Sequence, residues 1–142
     1  MRFEDPRHAA WAAVLRTQHR TVQAVQTALS AEGLPPLEWY DALLVLRFAD
    51  GGRMRQSELA QRMVLDKSNI SRLIQRMAAR GYVTRPACAD DRRGRYAQIT
   101  ESGRELLRRM WSVYRTVLDE NFGAGLDEHA ARKLTELLSR AG

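Results

Sequence analysis

The chain has 142 residues, of which 44% are hydrophobic and 28% are charged, a length and balance typical of one globular domain and not of a disordered, collagen-like or low-complexity chain. Its longest apolar run, residues 9–15, falls well short of the roughly 18 residues of a membrane span, and its start lacks a signal-peptide pattern, so we expect a cytoplasmic protein without a membrane partner. The net charge is +6, and the single cysteine, Cys88, excludes an internal disulfide and any zinc site built on cysteine pairs.

The first predicted helix covers residues 5–30 and carries one long stripe of mostly apolar residues. The members of this stripe recur at steps of three and four residues, the spacing of a helix that packs along another helix. They are Trp11, Leu15, Gln18, Val22, Val25 and Leu29. Pro6 suits the first turn behind Asp5. A helix of about 25 residues is roughly 37 Å long, which exceeds what a small core requires, so the stripe favours a second chain as its cover over packing within its own chain.

Three short elements follow in the predicted order. Residues 37–49 form a second helix with a broad apolar side, which indicates burial. Asp50, Gly51 and Gly52 end this helix in a turn. Residues 53–55 then suit a very short strand.

Two short helices come next, separated by three residues. The first helix of this pair covers residues 56–63, and the second covers residues 67–80. Asp66 is placed as the N-cap of the second helix, and Gly81 follows its last turn, where a left-handed residue is favoured. Two helices with so short a connection predict a helix-turn-helix motif.

Alternating residues after Gly81 predict a β-hairpin. Residues 82–85 and residues 95–99 have strand-like patterns, and a polar, charged loop lies between them. A helix-turn-helix followed by a basic hairpin is a winged helix-turn-helix, in which the second helix enters the DNA major groove.

The remaining residues predict two further helices. Thr100 is placed to cap a helix over residues 101–122, which Gly123 and Gly125 interrupt, and Asp127 is placed to cap a last helix. The predicted fold is therefore mainly α with a small β-hairpin wing, a winged helix-turn-helix flanked by long helices.

The basic charge is concentrated in the centre of the chain. Residues 53–95 hold eleven basic and four acidic side chains, a net charge of +7, against +6 for the whole chain. Such a concentration is the electrostatic footprint of a surface that meets a polyanion. Of the 23 basic residues, all but Lys67 and Lys133 are arginine; arginine suits phosphate, although codon bias in a GC-rich genome explains that ratio equally well.

Two groups of residues are candidates for DNA contact. On a helical wheel of residues 67–80 the apolar residues face one way, and the opposite face carries groups that hydrogen-bond base edges and phosphates. This outward face holds Ser71, Arg72, Gln75 and Arg76. The hairpin loop adds Arg92, Arg93 and Arg95 beside a glycine, a shape that fits the narrow minor groove. For any single residue a solvated surface is the simpler interpretation, but the combination favours DNA.

The chain from Leu37 to Leu107 resembles the MarR family of bacterial regulators, and the long flanking helices match that family as well. Three segments carry most of the resemblance: Leu65-Asp66-Lys67-Ser68-Asn69-Ile70-Ser71-Arg72-Leu73, Asp91-Arg92-Arg93 and Ile99-Thr100-Glu101-Ser102-Gly103. One departure is Arg55, because relatives often carry threonine or serine there, so the first short helix is expected to start at Ser57 or to lack a side-chain cap.

The resemblance implies a homodimer that binds double-stranded DNA at a pseudo-palindromic operator, acting as a repressor. Residues 1–34 and 101–142 would be dimerisation helices, and residues 35–100 would be the DNA-binding lobe. The implied recognition-helix contacts are Ser68, Asn69, Ser71, Arg72 and Arg76. Arg93 and Arg95 are the implied wing contacts, and Asp66 and Asp91 match acidic residues that position wing arginines in relatives.

The family resemblance also implies that a small aromatic or anionic effector releases the DNA. Trp11, Trp39 and Tyr40 are candidates for lining such a pocket, and Arg16 is available for an anion. Aromatic residues at helical spacing are more often core or interface. Neither redox control through Cys88, nor a metal or other cofactor, nor an enzymatic site is predicted, because no suitable cluster of side chains stands out.

A protein of another class would share several of these features. A sequence-neutral architectural or RNA-associated basic protein also predicts salt-sensitive nucleic-acid binding. The two hypotheses differ in the preference for one DNA site over random DNA, which only a regulator requires.

Overall fold

The computed structural model describes residues 4–65, 69–86 and 95–142. Within these ranges the helices are α1 (Pro6–Ala31), α2 (Leu37–Arg47), α3 (Gln56–Arg62), α4 (Ile70–Ala79), α5 (Glu101–Asn121) and α6 (Glu128–Ala141). The strands are β1 (Arg53–Arg55), β2 (Val83–Thr84) and β3 (Tyr96–Ile99), and short 3₁₀ turns cover Asp50–Gly52 and Gly123–Gly125. No helix in the described ranges is both long enough and apolar enough to cross a membrane.

The described chain divides into two compact units. One unit, here called the lobe, comprises residues 33–112; the other, here called the helical unit, comprises the residues up to Glu32 and those from Val113 onward. The lobe holds α2, α3, α4, the three strands and the first part of α5. A mainly helical chain with a small antiparallel sheet confirms the predicted fold class.

Apolar residues from the helices and from two of the strands of the lobe form its core. Leu43 and Leu46 of α2 are fully buried, as are Leu59 of α3 and Ile74 of α4. Removing a side chain of this size from water contributes about 1.5–3 kcal/mol, so these residues fix how the helices pack. The sheet closes the same core with Ala97, which is also fully buried.

The sheet contains three antiparallel strands in the order β1-β3-β2. In its register Arg53 pairs with Gln98 and Arg55 pairs with Tyr96. Because successive side chains of a strand point to opposite faces, these four residues share the face opposite to that of Ala97. The predicted hairpin is confirmed as β2 and β3. The strand predicted at residues 53–55 is the third strand of the same sheet.

The start of α4 differs from the prediction. The helix begins at Ile70, and its N-cap is Asn69, whose side-chain oxygen accepts a hydrogen bond from the Arg72 backbone N–H at 3.0 Å. The prediction that Asp66 is the N-cap was wrong, and Asp66 lies outside the described residues. Both residue types are favoured caps, and helical periodicity alone does not choose between them.

Other predicted helix boundaries agree with the structure. Asp5 and Asp127 cap α1 and α6 through their side chains, and Arg55 precedes α3 without a side-chain cap, as expected for a residue that cannot accept a hydrogen bond. Two hydrogen bonds from Arg7 hold the pKa of the Asp5 carboxyl below its ordinary value. The bond from the Arg7 side chain has the larger effect, and the bond from its backbone N–H has the smaller one.

The junction between the sheet and α5 requires a glycine. The Thr100 hydroxyl accepts a hydrogen bond from the Gly103 N–H at 3.0 Å, which confirms Thr100 as the helix cap, and it donates to the Gly81 carbonyl at 2.6 Å. These bonds draw the first turn of α5 against residue 82. A Cβ at Gly103 would overlap the Tyr82 carbonyl oxygen and contact Ile99 at 2.9 Å.

We therefore expect Gly103→Ala to lower the free energy of unfolding by about 1–3 kcal/mol, because rigid backbone must move to admit the methyl group. Thermal or denaturant unfolding measures the effect. Gly125→Ala is the matched control, since no atom lies within 4 Å of its added Cβ. Equal stability of the two variants would contradict the close approach at Gly103.

Candidate nucleic-acid interface

Helix α4 has two different faces. Leu73, Ile74 and Met77 are buried to 1% exposure or less, as the wheel predicts. The opposite face is exposed and consists of Ser71, Arg72, Gln75 and Arg76. No acidic residue occurs in α4, so this face offers hydroxyl, amide and guanidinium groups without a competing carboxylate from its own helix.

Asn69 is exposed but is already engaged in the fold. Its side-chain oxygen caps α4 through the Arg72 N–H, so the amide NH₂ remains the group that is able to donate outward. The predicted DNA contact of Asn69 therefore has to share this side chain with the cap of α4. Ser68, also predicted to contact DNA, lies outside the described residues.

A buried carboxylate of α2 holds the turn between α3 and α4. Asp41 is 7% exposed, and its two oxygens accept hydrogen bonds from the backbone N–H groups of Val64 at 3.1 Å and Leu65 at 2.7 Å. Hydrogen bonds to a charged partner contribute about 1.5–3 kcal/mol. Asp41 therefore fixes the connection that leads into α4.

Asp41 is not among the residues predicted from the sequence. A signal was nevertheless present, because Asp41 directly follows Trp39 and Tyr40 in a helix that the sequence predicts to be largely buried. A carboxylate in such a position needs hydrogen-bond partners. The periodicity of α2 gave no indication of what these partners were.

The end of α4 is fixed by backbone hydrogen bonds. Gly81 adopts φ +81°, a left-handed conformation that favours glycine. The Gly81 and Tyr82 N–H groups donate to the carbonyls of Ala78 and Met77, each at 3.0 Å. This pattern ends the helix and leads the chain into β2. It confirms the prediction that Gly81 adopts a left-handed conformation after the last turn.

Of the predicted wing residues, the structure describes Arg95. Its side chain is exposed, and its carbonyl accepts a hydrogen bond from the Gln56 N–H at 2.8 Å, which ties the base of the hairpin to the start of α3. The other predicted wing and positioning residues lie outside the described ranges. They are Arg92, Arg93, Asp66 and Asp91.

The predicted effector residues are not gathered at an open surface of the lobe. Trp39 and Tyr40 are only 6% and 9% exposed; the Trp39 ring packs edge-on against Tyr82 and the Tyr40 ring stacks on Trp111. Trp11 and Arg16 are exposed on α1, in the helical unit.

The lobe has an open groove of about 680 Å³ that the sequence analysis did not predict. It runs along the C-terminal half of α2, β1 and α3, and Leu44, Phe48, Met54 and Val64 line its apolar part. Neither Trp39 nor Tyr40 borders it. Among the described residues no three His, Cys, Asp or Glu side chains are grouped to hold a metal ion, and Cys88 lies outside those residues.

Comparison with known proteins gives one family. A family model described as the MarR family matches residues 32–94. The HTH-type transcriptional regulator MhqR of Bacillus subtilis is 30% identical over 110 residues, which are 78% of this chain and 73% of MhqR.

Solved structures share the fold. AbsC, a MarR family transcriptional regulator from Streptomyces coelicolor, matches with a TM-score of 0.82 and 28% identity over 99% of this chain and 95% of AbsC. Sco3205 from the same organism, solved in complex with DNA, matches with a TM-score of 0.84 and 22% identity over 99% of this chain and 89% of its own. Family and fold are those of transcriptional regulators and not of enzymes.

We expect Asp41→Asn to lower the free energy of unfolding by about 1–3 kcal/mol, because the amide accepts only through one oxygen and leaves one turn N–H unpaired. Hydrogen exchange at Val64 and Leu65 should accelerate more than exchange elsewhere in the lobe. Glu38→Gln, the same change on the same helix at a part-exposed position, should change stability by less than about 0.5 kcal/mol. Unchanged exchange at both amides in Asp41→Asn would contradict the role of this carboxylate.

Proposed function

Because the chain belongs to the MarR family of transcriptional regulators, we propose that it is a repressor that binds a pseudo-palindromic DNA operator as a homodimer. The observation that supports this proposal most directly is the two-sided helix α4. Its apolar side is buried in the lobe, and its outer side is exposed and carries groups able to bind bases and phosphates. Such a helix suits the major groove, which admits an α-helix and displays a distinct pattern for each base pair.

Different residues have different proposed roles at the DNA. On α4, Arg72 and Arg76 lie one helical turn apart on the exposed face and suit guanine edges or phosphates, while Gln75 suits adenine. The remaining proposed contacts of the helix are Ser68, Asn69 and Ser71. In the wing, Arg92, Arg93 and Arg95 are proposed to meet the minor groove and its phosphates, and Asp66 and Asp91 to position them.

Exposed apolar residues support the proposed dimer. Trp11 is 62% exposed, Leu15 is 46% exposed, and Leu137 and Leu138 are each 47% exposed, while α6 has no buried residue. Val25, at the other end of the α1 stripe, is fully buried. Large apolar side chains that remain exposed at several positions of one unit indicate a surface that another chain covers. We propose that residues 1–34 and 101–142 form this interface around the DNA-binding residues 35–100.

Release of the DNA by a small aromatic or anionic effector is a further part of the proposal. The edge-on contact between Trp39 and Tyr82 supports it, with ring centroids 6.0 Å apart. Tyr82 lies between the end of α4 at Ala79 and the start of β2 at Val83. An aromatic molecule that displaced the Trp39 ring would therefore shift the segment that joins the recognition helix to the wing, and Tyr40, Trp11 and Arg16 are the other proposed effector residues.

We expect Arg72→Ala to weaken binding to the operator by about 1–3 kcal/mol and to flatten the preference among sequences, because a bidentate contact to a base edge would be lost. Fluorescence anisotropy on a duplex selected from random sequences, and on a scrambled duplex, measures both effects. Arg47→Ala removes the same charge from a residue of α2 and should leave the preference unchanged. Equal losses on both duplexes in Arg72→Ala would contradict base recognition by this residue.

Replacing both Leu137 and Leu138 by glutamate should give a folded monomer, because the two exposed leucines would carry charge into the proposed interface. Sedimentation equilibrium gives the mass and circular dichroism the helix content. Thr135→Glu with Ser139→Glu places two glutamates on the same helix at other exposed positions and should leave a dimer. A monomeric unmodified chain, or a dimer of the leucine variant, would contradict this assignment.

A further inference from the structure

The proposed function does not use the open groove of the lobe, which has a volume of about 680 Å³. Two of the residues that line it are large apolar side chains in contact with water, since Phe48 is 77% exposed and Val64 is 90% exposed. Among the described residues these are the two most exposed large hydrophobic side chains. Exposed apolar residues that are gathered at one place mark a binding surface.

The size and lining of the groove suit a small molecule. Sites for small ligands have volumes of roughly 300–1,000 Å³ and are lined mostly by apolar side chains. Leu44, Val45 and Met54, which are partly buried, extend the apolar lining beyond Phe48 and Val64. Taken as a cube, the groove is about 9 Å wide, so its walls provide about half of the roughly 800 Å² that a protein partner covers on each side.

The charged residues of the groove favour a neutral ligand. Glu58 and Arg62 pair with each other at 3.3 Å, and Asp50 is exposed to solvent, which screens its charge. Among the described residues the lining holds three carboxylates and two guanidinium groups, those of Asp41, Asp50, Glu58, Arg53 and Arg62. An ion would give up its hydration here for a lining of nearly balanced charge, and a neutral molecule does not incur that cost.

The groove also reaches the turn that leads into α4. Val64 lines the groove, and its backbone N–H donates to Asp41 at 3.1 Å, the longer of the two hydrogen bonds through which α2 holds this turn. A ligand enclosed by Phe48 and Val64 would bury both side chains, which favours binding. That movement would draw the Val64 N–H away from Asp41. The ligand therefore favours a conformation in which the connection to α4 is displaced.

We propose that this groove binds a neutral, largely apolar small molecule and that the bound molecule weakens the binding of DNA by α4. The second part of the inference rests on the proposed function as a regulator. The site and the chemical class of its ligand differ from those proposed for the effector at Trp39 and Arg16. Because the coupling of two ligands is reciprocal, bound DNA weakens the affinity for the small molecule by the same factor.

The first experiment uses N-phenyl-1-naphthylamine, a neutral dye whose fluorescence rises in apolar surroundings, and the full chain without DNA. The titration should saturate at about one dye per chain, as expected for a single small-molecule site. The matched anionic dye is 8-anilino-1-naphthalenesulfonate, which has the same rings and an added sulfonate. It should bind roughly tenfold more weakly, because its charge loses hydration without gaining a partner.

Paired variants locate the bound dye. Phe48→Ser with Val64→Ser removes the two exposed apolar side chains and should weaken the dye roughly tenfold. Phe48→Leu with Val64→Leu keeps an apolar lining and should retain the affinity within about threefold. Both pairs change exposed residues, so the variants should remain folded, which circular dichroism checks. In the unmodified chain the dye should slow hydrogen exchange within residues 44–65 and leave exchange in the helical unit unchanged.

The second experiment measures the affinity for a fluorescein-labelled operator by anisotropy. Saturating dye should weaken this affinity by about threefold or more in the unmodified chain and should have no effect in the serine variant. Absence of saturable dye binding, equal dye affinity in the serine variant, or a DNA affinity that the dye leaves unchanged would overturn the inference.

The two experiments separate this inference from the proposed function. Because the dye titration contains no DNA, its failure leaves the proposed regulator intact. If the chain bound operator and scrambled duplex equally, the proposed regulator would fail, while the groove would still be shown to bind its ligand by the titration and by the serine variant.

Discussion

Burial of one side of α4 is the interaction on which the rest of the structure depends. Leu73, Ile74 and Met77 are almost completely inaccessible to water, and their burial determines which way Arg72 and Arg76 point. Because a helix repeats every 3.6 residues, fixing three apolar positions fixes every other side chain of its surface. The same interaction that stabilises the lobe therefore also exposes the polar face of this short helix.

Contacts at both ends keep this helix in place within the lobe. At its start, Asp41 accepts hydrogen bonds from the turn and the Asn69 side chain accepts one from the Arg72 N–H. At its end, Gly81 closes the last turn and its carbonyl accepts a hydrogen bond from Thr100, the cap of α5. Each of these hydrogen bonds joins a backbone group to the side chain of Asp41, Asn69 or Thr100, so three side chains fix the path of the chain near the two ends of α4. Contacts that restrict the path of the chain in this way reduce the entropy that binding of a ligand would cost.

The sequence predicts a structural feature well when the residues that form it lie close together in the chain. Periodicity predicted the inner face of α4, the hairpin and the cap at Thr100, because these features involve residues close together in the chain. The prediction of Asp66 as the N-cap of α4 was wrong because Asp66 and Asn69 are both favoured cap residues and lie only three positions apart. Asp41 contacts a turn 23 residues away, and the hydrogen bond from Arg55 to the Tyr96 hydroxyl depends on the strand register that pairs these residues, which are 41 positions apart. Contacts of this kind follow from tertiary packing, which local patterns do not specify.

The central claim is that the exposed face of α4 distinguishes one DNA sequence from another. The most direct measurement is the ratio of the affinity for a duplex selected from random sequences to the affinity for unselected duplexes of equal length, at physiological salt. The account predicts a ratio of roughly 10³ or more, the range of specific regulators. A ratio close to one, with binding that salt abolishes on every duplex alike, would contradict it and would favour a sequence-neutral architectural or RNA-associated protein.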